Sequence, residues 1–213
     1  MKIKTFQGGF DKNLSYLAWC EKTKIASIID PAVEIHPIIE TINQNNLILD
    51  KILVTHTHQD HIFYLEDFKY LFPNIKIICS NITSNDINGF YGVEHKEIIS
   101  IGEELIISLF TPGHFYNSLC YWHQKENLLF TGDTMFVGRS GRTKDKKSNI
   151  KDLYHSIYNI ILNLPENTTI YPGHHYGYTK AITIKENIVC SNFFNCKNFE
   201  EFNNVMNNFE SKR

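Results

Sequence analysis

Short apolar runs rich in Ile, Leu, Val and Phe alternate with polar, turn-forming segments along most of the chain. Runs this short fit strands better than helices. They predict strands near residues 2–6, 15–20, 25–29, 50–54, 75–79, 105–110, 119–123, 127–131 and 168–171. Elsewhere the apolar spacing becomes helical. Ile35, Ile38, Ile39 and Ile42 predict a helix near 34–44, and a further helix is expected near 65–72. Ile150, Leu153, Ile157, Ile160 and Ile161 share one face of a helix near 149–163, with Ser148 as its candidate N-cap. Phe199, Phe202, Met206 and Phe209 form a similar stripe over 197–209, read as a packing face. The Asn-rich tail through Arg213 is expected to fray.

One of these runs, Asp50-Lys51-Ile52-Leu53-Val54, ends in Thr55-His56-Thr57-His58-Gln59-Asp60-His61. A single histidine carries little weight. Three with an aspartate directly after a strand are another matter, because loops favour Gly, Asn, Ser and Pro on conformational grounds, not His. In extended chain, positions i and i+2 face the same way, so His56 and His58 can share one metal ion. If a helix follows, Asp60 and His61 turn elsewhere, and one loop feeds two adjacent metal sites.

Other strands end in the same manner. Leu105 to Phe110 leads to Thr111-Pro112-Gly113-His114, Asn127-Leu128-Leu129 to Phe130-Thr131-Gly132-Asp133, and Asn167-Thr168-Thr169 to Ile170-Tyr171-Pro172-Gly173-His174. In each, Gly or Pro lets the backbone bend sharply before a His or Asp. This ordered series resembles the metallo-β-lactamase superfamily. It is most similar to the glyoxalase II (hydroxyacylglutathione hydrolase) and persulfide dioxygenase branch, through Ile29-Asp30-Pro31, Gly141-Arg142-Thr143 and Leu153-Tyr154-His155-Ser156.

The resemblance implies an α/β fold: an αββα sandwich forming a single domain over residues 1–213, with a C-terminal helical segment from about 178. It implies that His56, His58 and His114 hold one divalent metal ion, that Asp60, His61 and His174 hold a second, and that Asp133 bridges them. Zn2+ is the expected metal, with Fe or Mn as alternatives. Asp60 and Asp133 are the implied catalytic carboxylates, Asp60 orienting the nucleophile. Arg142 stands where relatives place a basic residue that holds glutathione, Tyr176 matches a family tyrosine beside the last histidine, and both are the expected substrate-binding residues. The chain departs from the family at Ile62-Phe63-Tyr64, where Ile-Gly-Gly is common, and at Arg139 and Ser140, where Gly and Cys are usual. Asn117 replaces a turn glycine after His114, a position where Asn tolerates positive φ.

Such a site suits hydrolysis of a glutathione-type thioester by activated water, because a thiolate leaves without a strong general acid. The alternative is a mononuclear Fe(II) persulfide dioxygenase built on His56, His114 and Asp133. A second alternative is a metal-binding domain that has lost catalysis. The partner is a small-molecule thioester or thiol conjugate. A net charge of −2 gives no reason to expect nucleic acid or membrane binding, and no apolar stretch is long enough to span a bilayer. The scattered cysteines Cys20, Cys79, Cys120, Cys190 and Cys196 and the absence of a signal-peptide pattern point to the cytoplasm, with Cys120 packed as a small hydrophobe. His36, His95, His123 and His155 match no ligand position and are expected at the surface or in caps. His175 is expected to point away from His174. Oligomeric state is open.

Overall fold

The computed structural model describes residues 1–83 and 87–211. Its strands are β1 Lys2–Gly8, β2 Asn13–Trp19, β3 Ile25–Ile29, β4 Ile48–Leu53, β5 Lys76–Ser80, β6 Phe90–Val93, β7 Ile98–Ile101, β8 Glu104–Phe110, β9 Leu119–His123, β10 Leu128–Gly132, β11 Met135–Phe136, β12 Arg139–Ser140, β13 Thr169–Pro172 and β14 Ile182–Thr183. The helices are α1 Ile35–Gln44, α2 Leu65–Leu71, α3 Ile150–His155, α4 Ile184–Cys190 and α5 Phe199–Glu210. One sheet has the order β1-β2-β3-β4-β5-β6 and the other β14-β13-β10-β9-β8-β7, while β11 and β12 pair separately.

Alternation along the strands builds the layers. On β2, Leu14, Tyr16 and Ala18 face the opposing sheet; with Ile29 and Leu53 of their own sheet they pack in one cluster with Tyr121 and Phe130 of the other. Leu17, on the other face, packs with Ile28, Ile52, Ile38 and Ile42 of α1 and Phe68 of α2. Beyond the second sheet, Leu129 and Ile170 pack against Leu153, Ile184, Phe202 and Met206. The result is four layers, α1–α2, sheet, sheet and α3–α5, as expected. Strands buried on both faces explain why the sequence runs were uniformly apolar.

Local departures have local causes. Asn149, not Ser148, caps α3, accepting from Lys151 N and Asp152 N. The expected helix over 149–163 is α3 followed by a π turn, Ser156–Ile160, and a 3-10 turn, Ile161–Asn163. The Ser156 hydroxyl donates to Pro112 O (2.7 Å), tying the bulge to the loop that carries His114. The strands β6, β7, β11, β12 and β14 lie outside the predicted strands, whereas α4 falls within the helical segment expected from about 178. The tail does not fray from Asn207: α5 runs to Glu210, which accepts from Thr143 N, while Lys212 and Arg213 lie outside the described residues. His123 is buried, not superficial, and its Nε2 bonds Glu104 Oε2 (3.0 Å). Cys120 is fully buried.

Candidate metal centre

All seven candidate ligands come together at one edge of the sandwich. In the first sheet β3 and β4 run parallel. In the second, β8 and β10 both run antiparallel to β9, and β13 is parallel to β10. Their C-terminal ends therefore open on one edge. The loop after β4 carries His56, His58, Asp60 and His61, and the loops after β8, β10 and β13 carry His114, Asp133 and His174. Close approach requires glycine at position 173. A Cβ there would lie 2.4 Å from Asp133 Oδ1 and 2.5 Å from the His61 ring. Gly132 turns the chain at φ +49 just before Asp133.

The donors fall into two groups. His56 Nε2 and His58 Nδ1 are 2.9 Å apart, and His58 Nδ1 and His114 Nε2 are 3.0 Å apart. His61 Nε2 and His174 Nε2 are 3.2 Å apart, and Asp60 Oδ2 lies 3.2 Å from His174 Nε2. Asp133 stands between the groups. Its Oδ1 is 3.1 Å from His61 Nε2, and its Oδ2 is 3.5 Å from His114 Nε2 and 3.4 Å from His174 Nε2.

Hydrogen bonds on the outer side of the rings set the tautomers. Nδ1–H of His61 donates to Asp30 Oδ2 (2.8 Å), that of His114 to Arg142 O (2.8 Å) and that of His174 to Asp11 O (2.8 Å). The Thr55 hydroxyl donates to Asp30 Oδ2 (2.7 Å), leaving its oxygen to accept from His56 Nδ1 (3.1 Å). The Nε2 lone pairs of these four histidines therefore face inward. The buried Asp133 Oδ1 makes no hydrogen bond although His61 Nε2 is near. Convergent lone pairs of nitrogen and carboxylate fit divalent cations: nitrogens on a tetrahedral zinc would be about 3.3 Å apart. Three overlapping groups can hold an ion: His56, His58 and His114; His56, His61 and Asp133; and Asp60, His61 and His174.

Electrostatics divides the histidines. Burial pushes His56, His58 and His114 below the ordinary value, His58 to about 4, and neighbouring imidazoles reinforce this at His56 and His58. Burial also opposes the charged forms of His61 and His174. Asp133 outweighs it, with Asp30 helping at His61 and Asp60 at His174, so both are raised, His174 to about 9. The carboxyls of Asp60 and Asp133 are held down against burial, chiefly by His174 and His61. For the metal-stripped protein the signs follow. The raised His174 contributes stability that is complete below its unfolded value of 6.5 and is lost as pH rises through about 9. The depressed His58 costs stability as pH falls from 6.5 toward about 4. The stripped protein is expected to melt highest near pH 6.5, several degrees above its values at the two extremes; calorimetry giving a flat profile would contradict this charge assignment.

Residues outside the predicted set complete the frame. Fully buried Asn13 donates from Nδ2 to Asp60 Oδ2 (2.9 Å). Asp30, at φ +53, also accepts from Thr55 N (2.7 Å). Asn117 is not among the residues with positive φ. Its amide instead donates to Thr57 Oγ1 (2.8 Å) and Thr83 Oγ1 (3.1 Å). Tyr176 stacks on His174 at 4.8 Å with the Arg139 guanidinium 3.8 Å over its ring, and its hydroxyl donates to Asp11 Oδ2 (2.5 Å). His175 Nδ1 bonds Gln7 Oε1 (3.2 Å), away from the cluster. The Arg142 side chain is exposed, and with His58, His114, Lys144 and Asp145 it lines a cavity of about 310 Å³.

The model of the metallo-beta-lactamase superfamily matches residues 8–174, and the chain belongs to that superfamily. It is 34% identical over 178 residues to the probable hydroxyacylglutathione hydrolase glo2 of Schizosaccharomyces pombe, covering 81% of this chain and 68% of that protein. It is 28% identical to the probable polyketide biosynthesis zinc-dependent hydrolase BaeB of Bacillus velezensis, over 99% of this chain and 94% of that one. The crystal structure of ETHE1 from Myxococcus xanthus superposes with a TM-score of 0.89 at 27% identity, covering 98% of this chain and 91% of that one. The chain spans between 62% and 68% of the length of the hydroxyacylglutathione hydrolases it matches. No described helix is long and apolar enough to cross a membrane.

Proposed function

We propose that this protein hydrolyses a glutathione-type thioester with two divalent metal ions, Zn2+ in the first instance and Fe or Mn as alternatives. The observation that carries the reading is the pair of donor groups joined by Asp133, because a one-metal site needs no more than three of these seven residues. Metal ions bound there supply Lewis acidity and lower the pKa of a water from 15.7 toward about 7. The chain does the positioning. His56, His58 and His114 would hold one ion and Asp60, His61 and His174 the other, with Asp133 available to both. Asn13 fixes Asp60 Oδ2, so this carboxylate orients the nucleophile from a set position. The thiol leaving group has a pKa of about 8.5 and departs as thiolate without a strong general acid. The Tyr176 hydroxyl, already committed to Asp11, is not needed as one and serves to brace His174.

Arg142 reaches toward substrate beside His58 and His114, and its guanidinium suits a carboxylate of the thiol carrier. Its carbonyl, which accepts from His114, survives substitution of the side chain. Arg142→Met should therefore raise KM for a glutathione thioester about 10-fold, the loss of one charged hydrogen bond. KM for a small thioester lacking that carboxylate should move far less, and equal losses on both would mean that Arg142 shapes the loop. The second reading, a one-iron persulfide dioxygenase, is supported by the likeness of nearly the whole chain to ETHE1. Metal analysis with parallel thioester-hydrolysis and oxygen-uptake assays tests the two. One iron, with oxygen consumed on adding glutathione persulfide, would replace the hydrolase.

A further inference from the structure

The turn between β1 and β2 follows the C-terminal end of β1. Because β2 is antiparallel to both β1 and β3, that turn lies at the same sheet edge as Asp30 and the ligand loop after β4. It is fastened there at four points. Asp11 O accepts from His174 Nδ1, Asp11 Oδ2 from the Tyr176 hydroxyl, Lys12 O from His175 N, and Asn13 Nδ2 donates to Asp60. At its tip Phe10 is 70% exposed and meets Phe63, itself 42% exposed, edge to face at 4.6 Å. Phe63 follows His61 by two residues and continues the apolar surface to Tyr64, with ring centroids 5.0 Å apart. Two exposed rings paired on pinned backbone differ from scattered surface hydrophobics, which need no explanation. They stand on the Asp60–His174 side of the cluster, whereas Arg142 and Lys144 line the His58–His114 side.

We infer that the Phe10–Phe63 pair is the acyl wall of the cleft, and that the preferred substrates are thioesters of extended apolar acyl groups rather than of short hydroxy acids. The inference rests on the hydrolase reading and extends it to the substrate class. The two walls orient a thioester: the charged thiol carrier lies toward Arg142 and the acyl chain lies across the rings. Because the turn is held before substrate arrives, little ordering cost opposes that contact. A fully buried methylene is worth about 4-fold in binding, and one covered on a single side about 2-fold, so four methylenes give roughly 16-fold.

The test uses the full chain loaded with metal and the thioesters S-acetyl-, S-D-lactoyl- and S-hexanoylglutathione. The expected ratio of kcat/KM for hexanoyl over acetyl is about 10 or more, and it should fall below about 3 in the double variant Phe10→Ser, Phe63→Gly. Phe63→Leu, which keeps an apolar surface, should retain most of the ratio. Binding of the thioethers S-hexyl- and S-methylglutathione, followed by calorimetry, should show the same preference and the same loss without turnover. Hydrolysis of all three thioesters at similar kcat/KM, or a ratio untouched in the double variant, overturns the acyl wall alone. Hydrolysis of none overturns the thioesterase reading and the acyl wall with it.

Discussion

Replacing His61 with alanine is expected to lower bound metal from two ions toward one and to reduce thioester hydrolysis by about 10²–10³, the usual cost of losing one centre of charge stabilisation. His61 belongs to two of the three donor groups, is fully buried and lies 3.1 Å from Asp133. His58→Ala gives the matching test in the other group from a more accessible position, where less packing is disturbed. In the one-iron reading both residues stand outside the ligand set, so both variants should keep one iron and most oxygen uptake. Asp133 serves both readings, and its loss separates nothing. Metal content by elemental analysis beside the two activity assays decides the matter. Unchanged metal content and unchanged hydrolysis in His61→Ala would remove the second ion from the mechanism.

The ligands were legible in the sequence because each follows an apolar run, and strand ends are where an open α/β edge gathers its loops. His56, His114, Asp133 and His174 need only that pattern to be placed together. The residues that hold them were not legible in the same way. Asn13 lies 47 positions from Asp60, and nothing near it in sequence marks a fully buried amide. Asp30 appeared only within a motif; its task emerges when His61 and Thr55 arrive from β4. Arg139 and Tyr176 meet because β12 and the loop after β13 are adjacent in space. Strands β11, β12 and β14 have two residues each, too few for alternation to register. The helical stripe from Ile150 was real, but the π turn at Ser156, whose hydroxyl bonds Pro112 O, shifts its phase, and spacing does not encode that turn. Asn117 was expected to matter through its backbone and matters through its side chain.

The strongest effect outside the ligands is expected at Asp30. Its carboxylate accepts from Thr55 N, Thr55 Oγ1 and His61 Nδ1, all within 2.8 Å and almost wholly shielded from water. Asp30→Ala leaves three buried donors without an acceptor, costing ~3–5 kcal/mol and lowering the melting temperature of metal-free protein by roughly 10 °C. Asp30→Asn keeps the shape and separates packing from chemistry. Its amide oxygen can still serve Thr55 N, but an amino group then faces His61 Nδ1. His61 must present a lone pair outward, which moves its proton to Nε2 and blocks that atom as a ligand. Zinc affinity, measured by competition with a chelating dye, should fall about 10–100-fold in Asp30→Asn with a smaller stability loss than in the alanine variant. Equal zinc affinity in wild type and Asp30→Asn would show that the His61 tautomer is set by the metal itself and not by the carboxylate behind it.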